Sequence, residues 1–181
     1  ILPLNPLGYG NSPYQAYSSF AGDEIYISIE KLFLDLKIPY QQEVWASNFI
    51  AYEDVRARKL GHLKEAYRYF KKHEGYQTFL NQAFWLDDYV EFIALKRLNH
   101  YQSWLDWEIT SCTEEEKDFE RFIQYIFFSQ WQALKNYAND KGIQIVGDLP
   151  IYVGHDSSDV YHNREFFYLD EKNHPSQVAG V

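Results

Sequence analysis

Asp148 follows Ile143-Gln144-Ile145-Val146-Gly147, a short apolar run with β-branched residues that begins just after Lys141-Gly142. A helix stop, a buried parallel strand and a carboxylate at its carboxyl end is the order this pattern implies. In α/β folds, ligands gather at that end of the sheet. Asp148 therefore reads either as a group that hydrogen-bonds substrate or as a strand-end aspartate capping the loop before Pro150. Tyr14, set between Pro13 and Gln15, is a second candidate. Its ring is either a rigid platform for a sugar or an anchor that pins its loop to the core.

His155, Asp156, Asp159 and His162 form an H-D-x-x-D-x-x-H pattern of metal-ligating residue types. The same stretch, Asp156-Ser157-Ser158-Asp159, reads better as a capped helix start, so no metal site is expected. Nothing points to a cofactor either, since Gly8-Tyr9-Gly10 lacks the third glycine that opens a dinucleotide-binding helix. No nucleophilic triad is evident. Cys112 lies just before a helix start, a place that favours thiolate, but without partners it reads as a bystander. Asp87-Asp88 and Glu114-Glu115-Glu116 read as solvated helix faces.

The elements that must hold these groups are legible from periodicity. Residues 1 to 23, with Pro3, Pro6, Gly8, Gly10, Pro13 and Gly22, predict a long irregular loop. Tyr52, Val55, Leu60, Leu63, Tyr67 and Phe70 recur at helical spacing, in a segment expected to close at Gly75. A second helix is expected from about Phe84 to Leu98, with Trp85, Tyr89, Phe92 and Ile93 on one face. Thr113 with Glu116 forms a capping box that opens a third helix, running to the Lys141-Gly142 stop. A helix, a two-residue turn and a strand make an α/β connection. The helices between 48 and 108 have no strands among them and look like an insertion on an α/β scaffold.

Composition narrows the function classes. The net charge of −9 argues against nucleic acid, which needs a basic footprint, and against anionic membranes, whereas a neutral sugar is compatible with it. Aromatic residues make up 19% of the chain, which reads mainly as core filling with a few rings left for ligand stacking. A single cysteine excludes an internal disulfide and suits a reducing compartment. No run of about 18 apolar residues offers a membrane span. The chain begins at Ile1 and ends at Val181 without start or stop signals, so it reads as a piece of a longer protein.

Several segments together resemble the 4-alpha-glucanotransferases, also called amylomaltases or disproportionating enzymes. They are Leu2-Pro3-Leu4-Asn5-Pro6-Leu7-Gly8-Tyr9-Gly10-Asn11-Ser12-Pro13-Tyr14-Gln15, Phe84-Trp85-Leu86-Asp87-Asp88-Tyr89, Gln124-Tyr125-Ile126-Phe127-Phe128-Ser129-Gln130-Trp131, Gly147-Asp148-Leu149-Pro150-Ile151-Tyr152-Val153 and Asp156-Ser157-Ser158-Asp159-Val160. The resemblance implies an α/β fold, a partial (β/α)8 barrel of about three strands. Ile1–Leu4 would end the first strand, residues 24–108 would hold the second strand's region within a mainly helical insertion, and 143–148 would be the third.

The family activity moves an alpha-1,4-glucan segment between malto-oligosaccharides with retention. The resemblance implies that Tyr14 packs near the reacting glucose, that Asp148 hydrogen-bonds it, and that Ser12 and Gln15 support the Tyr14 loop. Val178 to Val181, with Gly180, would open a loop covering the glucan. The catalytic carboxylates would lie beyond Val181, so none is assigned within the chain. The implied partners are malto-oligosaccharide or starch- or glycogen-derived glucan, and the remainder of the barrel, without nucleic acid or membrane. A cytoplasmic setting is expected, with plastid as the alternative. A non-catalytic glucan-binding module and a related alpha-glucan hydrolase are the competing readings.

Overall fold

The structure, a computed structural model, describes residues 1–41 and 48–177. Six α-helices carry it: α1 (Ile29–Asp35), α2 (Tyr52–Tyr69), α3 (Glu74–Gln82), α4 (Leu86–Leu98), α5 (Glu114–Asp140) and α6 (Ser158–His162). None of them is long and apolar enough to cross a membrane.

Local chemistry explains the helix ends. Thr113 Oγ1 accepts from Glu116 N–H at 3.2 Å, and Glu116 Oε2 accepts from Thr113 N–H at 2.7 Å, the reciprocal pair of a capping box. Three glutamates in the first turn of α5 meet the positive end of the helix dipole. At the other end Gly142 adopts φ 73°, and the amides of Gly142 and Ile143 turn back to the carbonyls of Asn139 and Ala138. Ser157 caps α6 by accepting from Val160 N–H. The segment expected to run to Gly75 instead ends at Tyr69, and Gly75 lies in the first turn of a separate helix, α3.

Helix α4 is buried on nearly every face, from Leu86 through Lys96. It packs against the amino-terminal half of α5, which buries Phe122, Ile123, Ile126 and Phe127. One apolar cluster joins α1, α2 and α5 through Leu32, Phe33, Leu63 and Phe122. Rings fill much of it: Phe70 lies 4.9 Å from Phe122 and 5.2 Å from Tyr76, centroid to centroid. Another cluster sets Phe92 of α4 against Trp104 and Val160, which ties α6 to the helical body.

The expected barrel strands are not found among the described residues, where the only β pairing is an isolated bridge between Leu169 and Pro175. Ile1–Leu4 and 143–148 are non-helical segments. They touch where the Ile1 amino group donates to the Val146 carbonyl at 2.6 Å. A strand exists only as part of a ladder, and a buried parallel strand needs neighbours on both edges and both faces. Here Val146 is 77% exposed and Leu149 80%, so the apolar run has the composition of a buried strand without its cover. Likewise, the described residues of 24–108 form helices and loops with no second strand.

Candidate functional site

A cleft of about 980 Å³ opens beside the 148–155 segment. Its walls are the Tyr14 loop, the run from Asp148 to His155, and a turn between residues 166 and 177. That volume is at the upper end of small-molecule sites.

The Tyr14 loop is shaped by close backbone packing. A Cβ on Gly8 would lie 1.9 Å from the Gln15 carbonyl oxygen, so only glycine fits there. Gly10 follows with φ 66°. Ser12 Oγ accepts from Tyr14 N–H at 3.3 Å, and the Ser12 carbonyl accepts from Gln15 N–H at 3.2 Å. Just beyond, Tyr17 donates its amide to Pro6 and accepts from Ser158 N–H, while Ser19 N–H donates to Asp159 of α6. The loop is therefore fastened at both ends, and Ser12, Tyr14 and Gln15 all reach the cleft.

Tyr14 and Asp148 meet across 134 residues of sequence. The Tyr14 hydroxyl donates to Asp148 Oδ2 at 2.6 Å, while Asp148 Oδ1 accepts from Leu149 N–H at 2.9 Å. Both side chains stay accessible, Tyr14 at 43%. The hydrogen bond to Asp148 raises the pKa of the phenol, with slight burial and the carboxylate charge adding to the effect, so Tyr14 stays protonated through the neutral range. The pair presents a phenol and a carboxylate to the cleft, a combination suited to hydroxyl-rich ligands. Apolar and aromatic surface flanks it, with Ile151, Tyr152, Phe166 and Tyr168 largely exposed.

The third wall is held by Asp170, whose Oδ1 accepts from Lys172 and His174 amides. Those backbone hydrogen bonds, that of His174 first, hold its carboxyl below the usual range. Ser176 N–H closes the turn onto the Tyr168 carbonyl.

The four residues of the H-D-x-x-D-x-x-H pattern serve separate ends. His155 pairs with the Asn173 carbonyl, Asp156 with Lys96, and Asp159 with Ser19, while His162 lies 3.9 Å from Asp88. No group of three or more potential ligands forms a metal site among the described residues. Gly180 and its neighbours Val178 to Val181 lie outside the described residues.

Sequence reasoning missed a buried ionic network. Both oxygens of Asp23 accept from the Arg56 guanidinium at 3.0 Å. Glu24 accepts from Arg56 at 2.5 Å and from Arg97 at 3.3 Å, and Arg97 also binds Glu120 at 2.6 Å. Burial alone would raise the Glu24 pKa, but the charges of Arg97 and Arg56 outweigh it and hold the carboxyl at about 2. Burial keeps the carboxyls of Asp23 and Glu120 above their ordinary values despite the same arginines. Charged residues within apolar stretches, such as Glu120 between Phe119 and Phe122, were the available signal.

The model of the 4-alpha-glucanotransferase family matches residues 1–181. A 4-alpha-glucanotransferase of Thermus thermophilus is 38% identical over 201 residues, covering all of this chain and 40% of that protein. Its counterpart in Clostridium butyricum is 39% identical over 203 residues, covering 99% of this chain and 42% of the relative. Among solved structures, amylomaltase from Streptococcus agalactiae in complex with acarbose superimposes with a TM-score of 0.91 at 33% identity. That match covers 100% of this chain and 41% of the amylomaltase. The chain thus spans about two fifths of the length of the relatives it matches. With its whole length matched and its fold reproduced, the chain belongs to the 4-alpha-glucanotransferase family.

Proposed function

We propose that this chain is the amino-terminal part of a 4-alpha-glucanotransferase barrel, with 24–108 as its mainly helical insertion, and that it supplies one wall of the donor site. The whole protein would move alpha-1,4-glucan segments between malto-oligosaccharides with retention, drawing on starch- or glycogen-derived glucan in the cytoplasm. The observation that carries this reading is the Tyr14–Asp148 pair on the wall of an aromatic-rich cleft.

A retaining transfer needs a nucleophilic carboxylate and a second carboxyl, acid and then base, about 5 Å apart. We assign neither to this chain. Asp148 would instead accept hydroxyls of the reacting glucose, with Tyr14 against the ring and Ser12 and Gln15 behind it. The catalytic carboxyls would belong to residues beyond Val181. The remainder of the barrel would cover the exposed run of Ile143, Val146, Leu149 and Ile151, since apolar surface of that kind drives association.

Maltotriose disproportionation by the full-length protein tests the reading. Asp148→Ala should lower kcat/KM by about tenfold to a hundredfold, the scale of a charge-assisted hydrogen bond to substrate. Tyr14→Ala should raise KM or lower kcat. Glucose release without chain lengthening would identify an alpha-glucan hydrolase. Glucan binding with neither reaction would identify a binding module. An Asp148→Ala protein whose activity falls only in step with thermal stability would reduce the aspartate to a cap.

A further inference from the structure

Lys96 is wholly buried, although it lies on α4, well away in sequence from every residue of the cleft. Its ammonium donates to the Gln102 carbonyl at 2.6 Å, to the Tyr101 carbonyl at 3.3 Å and to the Asp156 carboxylate. It also sits 5.0 Å from the centre of the Tyr17 ring. Burial pulls the lysine pKa down and Asp156 pushes it back. A buried cation is costly unless fully partnered, and two carbonyls, a carboxylate and a ring supply that partnership here.

The arrangement continues to the cleft. The other Asp156 oxygen accepts from Trp104 N–H at 3.3 Å. The Trp104 indole donates from Nε1 to the His155 carbonyl at 2.9 Å, and its ring lies 5.2 Å from the His155 imidazole. His155 lines the cleft, and its Nε2 is 2.7 Å from the Asn173 carbonyl. A carbonyl only accepts, so Nε2 carries the proton, and the tautomer this selects leaves Nδ1 as the ring's acceptor. Among the described residues no donor is directed at Nδ1.

We propose that His155 contacts bound glucan from the cleft wall, and that Lys96 is a positioning residue that fixes His155 through Asp156 and Trp104. This rests on the glucan reading above. The Lys96 contacts set the Asp156 carboxylate, Asp156 and Trp104 set the backbone and ring of His155, and Asn173 sets its tautomer. The Nε2–H tautomer held this way offers a sugar hydroxyl one acceptor, Nδ1, in a fixed direction.

The test follows carbethoxylation of His155 by diethylpyrocarbonate in the full-length protein, read by peptide mass spectrometry, alongside maltotriose kinetics. Lys96→Met should speed His155 modification at least about threefold, the scale of one lost hydrogen bond, and Lys96→Arg should restore part of the protection. Trp104→Phe, which keeps a ring and loses the indole N–H, should act in the same direction with a smaller loss of stability. His155→Phe should raise the KM for maltotriose about threefold to tenfold with kcat nearly unchanged, and adding Lys96→Met to it should raise KM no further.

Maltotriose should slow His155 modification in the unsubstituted protein. An unchanged modification rate in both Lys96→Met and Trp104→Phe would overturn the positioning role. Unprotected His155 in a protein that turns over maltotriose would overturn the contact. Absence of any turnover would sink the glucan reading itself, while the modification rates would still decide whether Lys96 positions His155.

Discussion

The helical body and the cleft face use the same residue types in opposite ways. In the body, carboxylates and guanidinium groups are buried and paired, and Asp23, Glu24 and Glu120 exist only because Arg56 and Arg97 meet them. On the cleft face, Asp148 is exposed, and so are Leu149, Ile151 and Tyr152, which by type belong in a core. Charge hidden and apolar surface shown is the reverse of the usual order. Buried charge holds elements together at a cost in desolvation, and exposed apolar surface favours association with whatever covers it. Substitutions in the two regions should therefore separate stability from function.

The sharpest break should come from Arg97→Met. It leaves Glu24 and Glu120 buried without their shared cation, and loss of one partner from a buried pair costs about 3–5 kcal/mol, a large part of a domain's stability. Urea unfolding would measure it. The pH dependence should change too. Because the folded-state pKa of Glu24 is depressed, its contribution is fully present above the ordinary carboxylate range and is lost as pH falls toward about 2. Without Arg97 that loss should begin at higher pH. Asp23 and Glu120, raised by burial, work with the opposite sign and soften the acid transition. A stability unchanged by the substitution would mean that the network contributes nothing to holding α4 on α5.

Gly22→Ala comes next. Gln124 clasps the Gly22 backbone with two hydrogen bonds of 2.9 Å, and a Cβ there would lie 2.1 Å from the Phe127 ring. Moving a packed ring costs about 1–3 kcal/mol, which thermal unfolding should register as a drop of several degrees. An unchanged midpoint would mean that Phe127 has room to yield.

Asp148→Asn should move stability least, within about 0.5 kcal/mol, as expected for an exposed site. The same change should lower the pKa of the Tyr14 phenol toward its ordinary value, because the hydrogen bond to a carboxylate is what raises it. NMR titration of the Tyr14 ring carbon would follow this. A phenol that titrates as before would dissolve the pair that defines the cleft, and a large loss of stability would erase the contrast between the two regions.

Sequence alone determined what depends on neighbours within about four residues. The capping box at Thr113, the Gly142 stop, the start of α6 and the apolar periodicity of α4 are local, because a turn of helix closes within that distance. Tyr14 and Asp148 stood out singly for the same reason, one beside a proline and the other at the end of an apolar run. Tertiary structure decided everything that spans long separations. It brought Tyr14 to Asp148 across 134 residues and Gln124 to Gly22 across 102, and it gave Arg97 to Glu24 and Lys96 to Asp156. It also left 143–148 without a ladder, because β pairing depends on what lies beside a strand as well as on its own residues. A charge in a helix reads as solvent-facing until the fold supplies its partner, and for that reason the pairings of the network and the seat of His155 were not legible in the sequence, although Glu120 amid apolar residues hinted at burial.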